Sequence, residues 1–170
     1  MKKALLILFA VVMVISLSSC EQIFDTIKGL FGGGDDEEQV DGPAPPPADE
    51  YENDDNADYA YGDHLNLITR HTFHSPTDED WIWAYLYYGT SYIFETRSAG
   101  GLECDTYIEL YDAGGYLCDS DDDGGYNLYS RIEFSPDSDG YYYLRIAEYD
   151  YIQYGSGDYG EYEVSVGINY

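Results

Sequence analysis

Residues 105–125, DTYIELYDAGGYLCDSDDDGG, decide the fold class. In TYIELY, Ile108 and Leu110 alternate with Tyr107, Glu109 and Tyr111, the period-two pattern of a strand with one buried face and one wet face. DAGG is a turn that brings Tyr111 back near Tyr116, and GYLC begins a second strand. Asp119, Asp121 and Asp123 then occupy alternate positions before Gly124, as in the first half of an EF-hand loop. The twelfth position, where a bidentate Glu belongs, is Ser130, and no helical pattern flanks the stretch. It reads as a β-hairpin followed by an acidic turn. Asp119, Asp121 and Asp123 stay as a secondary calcium candidate beside the plainer reading, aspartates that cap backbone N–H groups.

Working outward, the same period returns. SRIEF sets Ile132 and Phe134 against Arg131 and Glu133, and YEVSVGI places Tyr162, Val164, Val166 and Ile168 on one face. HLNLIT, WIWAYLYY, TSYIFETR and YYYLRIAEY bring the count to about eight strands, separated by turns rich in Gly, Asp and Ser. No long helical pattern intervenes and no internal repeat is present. The expectation is an all-β, antiparallel β-sandwich of roughly 110 residues, long enough to bury one core.

The N-terminus has a different character. Lys2 and Lys3 precede the apolar run Ala4 to Leu17, too short for a permanent span and laid out as a secretory signal. It ends in LSSC, which resembles the lipobox of bacterial lipoproteins. Residues 1–19 are therefore read as a signal peptide and Cys20 as the lipidated first residue of the mature chain. The alternatives are an ordinary signal with a chance cysteine, or an uncleaved anchor. Residues 20–50 form a stub, with Ile23, Phe24, Ile27, Leu30 and Phe31 at helical spacing, and then a disordered acidic, Pro-rich tether. Glu21, where an Asp would mark inner-membrane retention in enteric bacteria, favours the outer membrane or cell surface.

Charge narrows the partners. The chain carries 34 acidic and 7 basic residues, and loss of Lys2 and Lys3 takes the formal charge from −27 to −29. Such a polyanion has no basic patch with which to release counterions, so nucleic acid is excluded. Attachment to anionic lipid is excluded likewise, which leaves the acyl chains to hold the protein at the membrane. Divalent cations suit this balance. An oxidising compartment admits a Cys104–Cys118 disulfide, although the DAGG register carries Cys104 well past Cys118; the alternative is two free, buried thiols.

YENDDNADYA, SPTDEDWIWAYL, the DT…LYD…G…L…DDD block, YSRIEF, GYYYLRIAEY and GEYEVSV stand in the order and spacing of a known family. From about residue 51 to the C-terminus the chain resembles the bacterial pre-peptidase C-terminal domain. The resemblance implies a jelly-roll-like β-sandwich at 51–170 that serves exported proteins in binding, targeting or maturation. A calcium-binding, collagen-binding branch of that fold takes ligands from an acidic segment before the first strand and from a D-x-D-aromatic turn. The matching positions are Glu52, Asp54 and Asp55, and Asp78 and Asp80, which the resemblance makes calcium ligands. Asn53 stands where the branch has proline. Ala147 replaces one of the tyrosines tied to collagen contact, so collagen itself is not implied.

Catalytic patterns are missing from the sequence. His64, His71 and His74 lack zinc-site spacing and are expected to decorate an edge strand and its turn. The serines have no nucleophile-elbow context. The chain is read as noncatalytic. Tyrosine is abundant, 21 of 170 residues, and with Tyr107 and Tyr111 facing outward one sheet face should be rich in phenols, suited to protein or glycan recognition. Tyr141, Tyr143 and Tyr149 are the candidate contacts. The expected function is a lipid-anchored binding or adhesion module of the cell envelope, stabilised by calcium. The alternative is a structural or accessory lipoprotein that aids export or assembly of an envelope complex.

Overall fold

In the computed structural model, which describes residues 44–170, the alternating stretches become nine strands in two sheets. The strands are β1 (Tyr61–Asp63), β2 (Ile68–Phe73), β3 (Glu79–Leu86), β4 (Tyr92–Ser98), β5 (Thr106–Asp112), β6 (Leu117–Asp121), β7 (Arg131–Phe134), β8 (Gly140–Glu148) and β9 (Gly160–Ile168). One helix, α1 (Tyr149–Tyr154), separates β8 from β9. The five-stranded sheet runs β1-β3-β8-β5-β6 and the four-stranded sheet β2-β9-β4-β7. Every pairing is antiparallel except β1 with β3. The signal peptide, Cys20, the stub and most of the expected tether lie outside the described residues. The compact unit begins at Ala44, earlier than the expected boundary at 51.

Alternation delivers the core. Ile82, Ala84 and Leu86 of β3, Leu144 and Ile146 of β8, and Ile108 and Leu110 of β5 point to the facing sheet. There they meet Phe73, Tyr92, Phe94, Ile132, Tyr162, Val164 and Val166. Each large apolar side chain so buried contributes about 1.5–3 kcal/mol. A patch of hydroxyls also joins the sheets: Thr96 of β4 lies 2.6 Å from Thr106 of β5, and Ser130 donates its N–H to Thr96 Oγ1 at 2.9 Å. These buried groups satisfy one another, so they fix the stacking of the sheets without a desolvation penalty.

Three local features differ from the sequence reading. HLNLIT is not one strand: it spans the turn between β1 and β2, where Asn66 adopts φ 63°. YDYIQY closes a short helix instead of extending β8. Its six residues are too few to show a helical period, but the caps are complete: the Glu148 carboxylate accepts from Asp150 and Tyr151 N–H, and Gly155 ends the helix at φ 80°.

The third is the disulfide, which the structure replaces with two free thiols. Cys104 is buried before β5, and Cys118 is exposed on β6 beside the irregular step between Leu110 and Tyr111. Six residues of extended chain, about 20 Å, separate Cys104 from Leu110, far beyond the roughly 7 Å limit between bridged Cα atoms. Burial pushes the Cys104 thiol up. In a Cys20→Ser chain, one thiol should react with a small thiol reagent under native conditions and two after denaturation. No reaction in either state would restore the bridge.

Candidate cation centre and aromatic face

Asp78 and Asp80 sit two residues apart at the start of β3, so strand alternation sends both inward. Asp80 is fully buried between the sheets and accepts a hydrogen bond from Tyr162 OH of β9. Asp78 accepts from the N–H of His74 at 2.6 Å. β2 brings His71 opposite Tyr162, and the imidazole lies between the Tyr51 and Tyr162 rings at centroid distances of 4.8 and 5.7 Å.

The segment before β1 completes the centre by running along the free edge of β2. Asp49 accepts from Thr72 N–H and Tyr51 N–H, both at 2.8 Å, and Thr72 Oγ1 donates to Pro47 O at 3.0 Å. Two triads result. In the inner one, His71 Nδ1 lies 3.5 Å from Asp80 Oδ1 and 3.8 Å from Asp49 Oδ2. In the outer one, His74 Nδ1 lies 2.7 Å from Glu52 Oε1 and 2.5 Å from Asp78 Oδ2. Neither arrangement is aligned as a hydrogen bond at the imidazole Nδ1. Asp54 is fully buried, and neither of its oxygens has a hydrogen-bond partner.

Burial outweighs the nearby histidines and raises the acids. Desolvation first, then the Asp80 charge, pushes Asp54 up to about 8, and desolvation with the Asp78 charge pushes Glu52 up to about 7. Asp78 is raised and Asp80 well raised, each chiefly by desolvation. His74 is raised: desolvation alone would lower it, but Asp78 and Glu52 outweigh that effect. A cluster of inward carboxylates with bare oxygens is what a divalent cation requires.

The site expectations fare unevenly. Glu52, Asp54, Asp78 and Asp80 are drawn inward at one end of the sandwich, whereas Asp55 is exposed and reaches Asp78 only through its charge. Asp119 accepts from Ser120 N–H, and Asp121 accepts from Gly124 and Arg131 N–H, so both cap backbone. Only Asp123 of that trio joins a carboxylate group, with Asp105 and Asp122. The histidines correct the sequence reading most. β2 is an edge strand, but His64 and His71 are buried rather than decorating it. The signal was present: His71 shares its period-two face with Phe73. Asp49 was missed because it falls in what reads as tether.

On the outer face of the five-stranded sheet, aromatic residues form rows. Trp81 stacks on Tyr111 at 5.6 Å, and Tyr141 meets Trp83 and Tyr85 edge-on at 5.4 and 5.1 Å. Tyr143 is paired across strands with both Trp83 and Tyr111. Arg145 lies among them, donating to Glu79 at 2.7 Å and Glu109 at 2.6 Å. Trp81, Tyr111 and Tyr143 line an open depression of about 460 Å³ with Asp58 and Asp112. Tyr149 does not belong to this face: it opens α1, about 20 Å along the chain from Tyr143.

Among solved structures, the chain is similar to the pre-peptidase C-terminal domain of a Bacillus anthracis collagenase, with 16% identity and a TM-score of 0.47, over 60% of this chain and 89% of that one. It is also similar to PliG of Aeromonas hydrophila, a periplasmic inhibitor of g-type lysozyme, with 9% identity and a TM-score of 0.46, over 61% and 85%. CorA of Methylomicrobium album BG8, a surface-associated copper-binding protein, matches with 13% identity and a TM-score of 0.43, over 65% and 99%. At these identities the likeness concerns the fold alone. No family model and no curated protein matches the sequence.

The raised acids set a pH dependence. Without a cation, the native centre keeps protons that the unfolded chain releases near pH 4, so the native state binds more protons and stability falls as pH rises towards 8. Chelator-treated protein should melt higher at pH 5 than at pH 8, with a shallower fall in Asp54→Asn. Rising stability over that range would contradict the assignment.

Proposed function

We propose that the protein is a noncatalytic binding module of the bacterial cell envelope, anchored by lipid at Cys20 and facing the outer membrane or cell surface. The outer face of the five-stranded sheet recognises a protein or glycan ligand. A divalent cation at the inward carboxylates fastens the sandwich, with calcium the expected ion for the oxygens of Glu52, Asp54, Asp78 and Asp80. The observation that supports recognition is the packing of Trp81, Trp83, Tyr85, Tyr111, Tyr141 and Tyr143 on one solvent-facing surface. Aromatic side chains give large contact area with few rotatable bonds, which suits a binding face. Catalysis is disfavoured at the carboxylate–histidine centre because Asp54, His71 and Asp80 are fully buried, out of a substrate's reach.

The opposite sheet supports the accessory reading. Its outer face carries ion pairs, Arg97 with Glu163 at 2.9 Å, Arg131 with Glu133 at 2.5 Å, and Arg70 with Glu161. Exposed pairs of this kind keep a surface solvated and contribute little to stability.

Tyr141→Ser combined with Tyr143→Ser should leave the melt within a few degrees of the parent and weaken retention on extracellular-matrix protein or glycan by tenfold or more, with Tyr149→Ser as an inert control. A folded double variant that keeps every interaction would favour the accessory lipoprotein. A fatty-acid analogue should label the wild type and not Cys20→Ser; equal labelling would end the anchor reading.

A further inference from the structure

The calcium expectation rests on oxygen ligands, but the inner triad contains a nitrogen whose state can be worked out from its neighbours. His64 Nδ1 lies 2.9 Å from Gly62 O, and a carbonyl only accepts, so Nδ1 carries a proton. In a fully buried imidazole whose ring proton is on Nδ1, Nε2 is the acceptor. The Thr69 hydroxyl, 2.9 Å away, donates to it. With its one proton engaged, Thr69 Oγ1 accepts from Nε2–H of His71 at 3.0 Å. With Nε2 engaged, His71 turns its Nδ1 to Asp80 Oδ1 and Asp49 Oδ2, with no hydrogen-bond partner there.

An imidazole nitrogen facing two carboxylates without a hydrogen bond to either calls for a positive species between them. His71 and Asp80 are both fully buried, and His71 Nδ1 and Asp80 Oδ1 have no hydrogen-bond partner. Their separations, 3.5 and 3.8 Å, exceed hydrogen-bond reach. They approach the edge of about 3.4 Å of a tetrahedron built on bonds of about 2.0–2.2 Å, the range of zinc to nitrogen and oxygen. Calcium takes oxygen at longer bonds and gains little from imidazole.

We propose that His71 Nδ1, Asp49 and Asp80 hold a first-row divalent transition ion, zinc in the first instance, with Gly62, His64 and Thr69 forming the hydrogen-bonded chain that aims the imidazole. The inference rests on the reading that a cation occupies this centre, and it names the ion's class. Asp54 stands beside the triad and supplies further negative charge. The chain from Gly62 to His71 acts as outer-shell support, which orients a ligating imidazole and sets its tautomer.

The test uses the full protein purified in detergent, stripped with chelator, and titrated calorimetrically with zinc chloride or calcium chloride. Zinc should bind at least tenfold tighter than calcium, and cobalt(II) should give d–d absorption bands of a low-coordinate nitrogen–oxygen site. His71→Phe keeps a ring between Tyr51 and Tyr162 and should weaken zinc at least tenfold while leaving any calcium response of the melt unchanged. Thr69→Val removes no ligand and should weaken zinc about tenfold. Zinc binding no tighter than calcium, or unaffected by His71→Phe, would overturn the inference. Stabilisation by calcium alone would leave the cation reading standing and remove this one; binding of neither ion would remove both.

Discussion

The hydrogen bond from Tyr162 to Asp80 is the contact on which the rest of the structure depends. It joins β9 of one sheet to β3 of the other at full burial, where a carboxylate is normally excluded. A lone charge in that position would cost several kcal/mol, so the protein must either protonate Asp80 or compensate it. The surroundings add more acid than base. Asp49, Glu52, Asp54 and Asp78 crowd the same end of the sandwich, and the His71 Nδ1 that faces Asp49 and Asp80 bonds to neither. Compensation by a cation relieves all of these groups together, where protonation would have to be repeated for each.

The segment before β1 is tied into the same end of the domain through Thr72. Two edge strands, β1 and β2, would leave one side of the sandwich open with unpaired backbone. Pro47 and Asp49 cover part of the β2 edge through Thr72, and the chain then delivers Glu52 and Asp54 to the inward carboxylates before β1 pairs with β3. One stretch of chain thus protects the edge and adds two carboxylates to the inward cluster. At the far edges, Asp121 links β6 to β7 by accepting the Arg131 N–H. The acidic turn thus has a structural use through Asp121.

Legibility followed the range of the interactions. The alternation in TYIELY, SRIEF and YEVSVGI revealed the strands and their buried faces because period two is a local property. The β5–β6 hairpin was legible for the same reason. Sheet order was not: β3 pairs with β8 across some fifty residues of intervening chain, and no local pattern records that partner. Outward Tyr107, Tyr111, Tyr141 and Tyr143 were readable from alternation, but the tryptophans of β3 that complete their face were not singled out. At the centre, the acidic motifs led to four of the carboxylates. His71 and Asp49 were lost because their roles come from position in three dimensions: one reads as an edge histidine and the other as tether. The disulfide failed for a related reason, since two cysteines in an exported chain say nothing about the 20 Å of strand between them.

The central claim, that Asp80 is a charged group kept in the core for a cation, is tested most directly by melting Asp80→Asn beside the wild type, each with chelator and with saturating divalent ion. The introduced amide can still accept from Tyr162 and can donate to His71 Nδ1, so it removes the buried charge without opening a cavity. The account predicts that the variant melts above the wild type in chelator and gains nothing from the ion. A variant that melts below the wild type in chelator, or that keeps the wild-type gain with the ion, would contradict it.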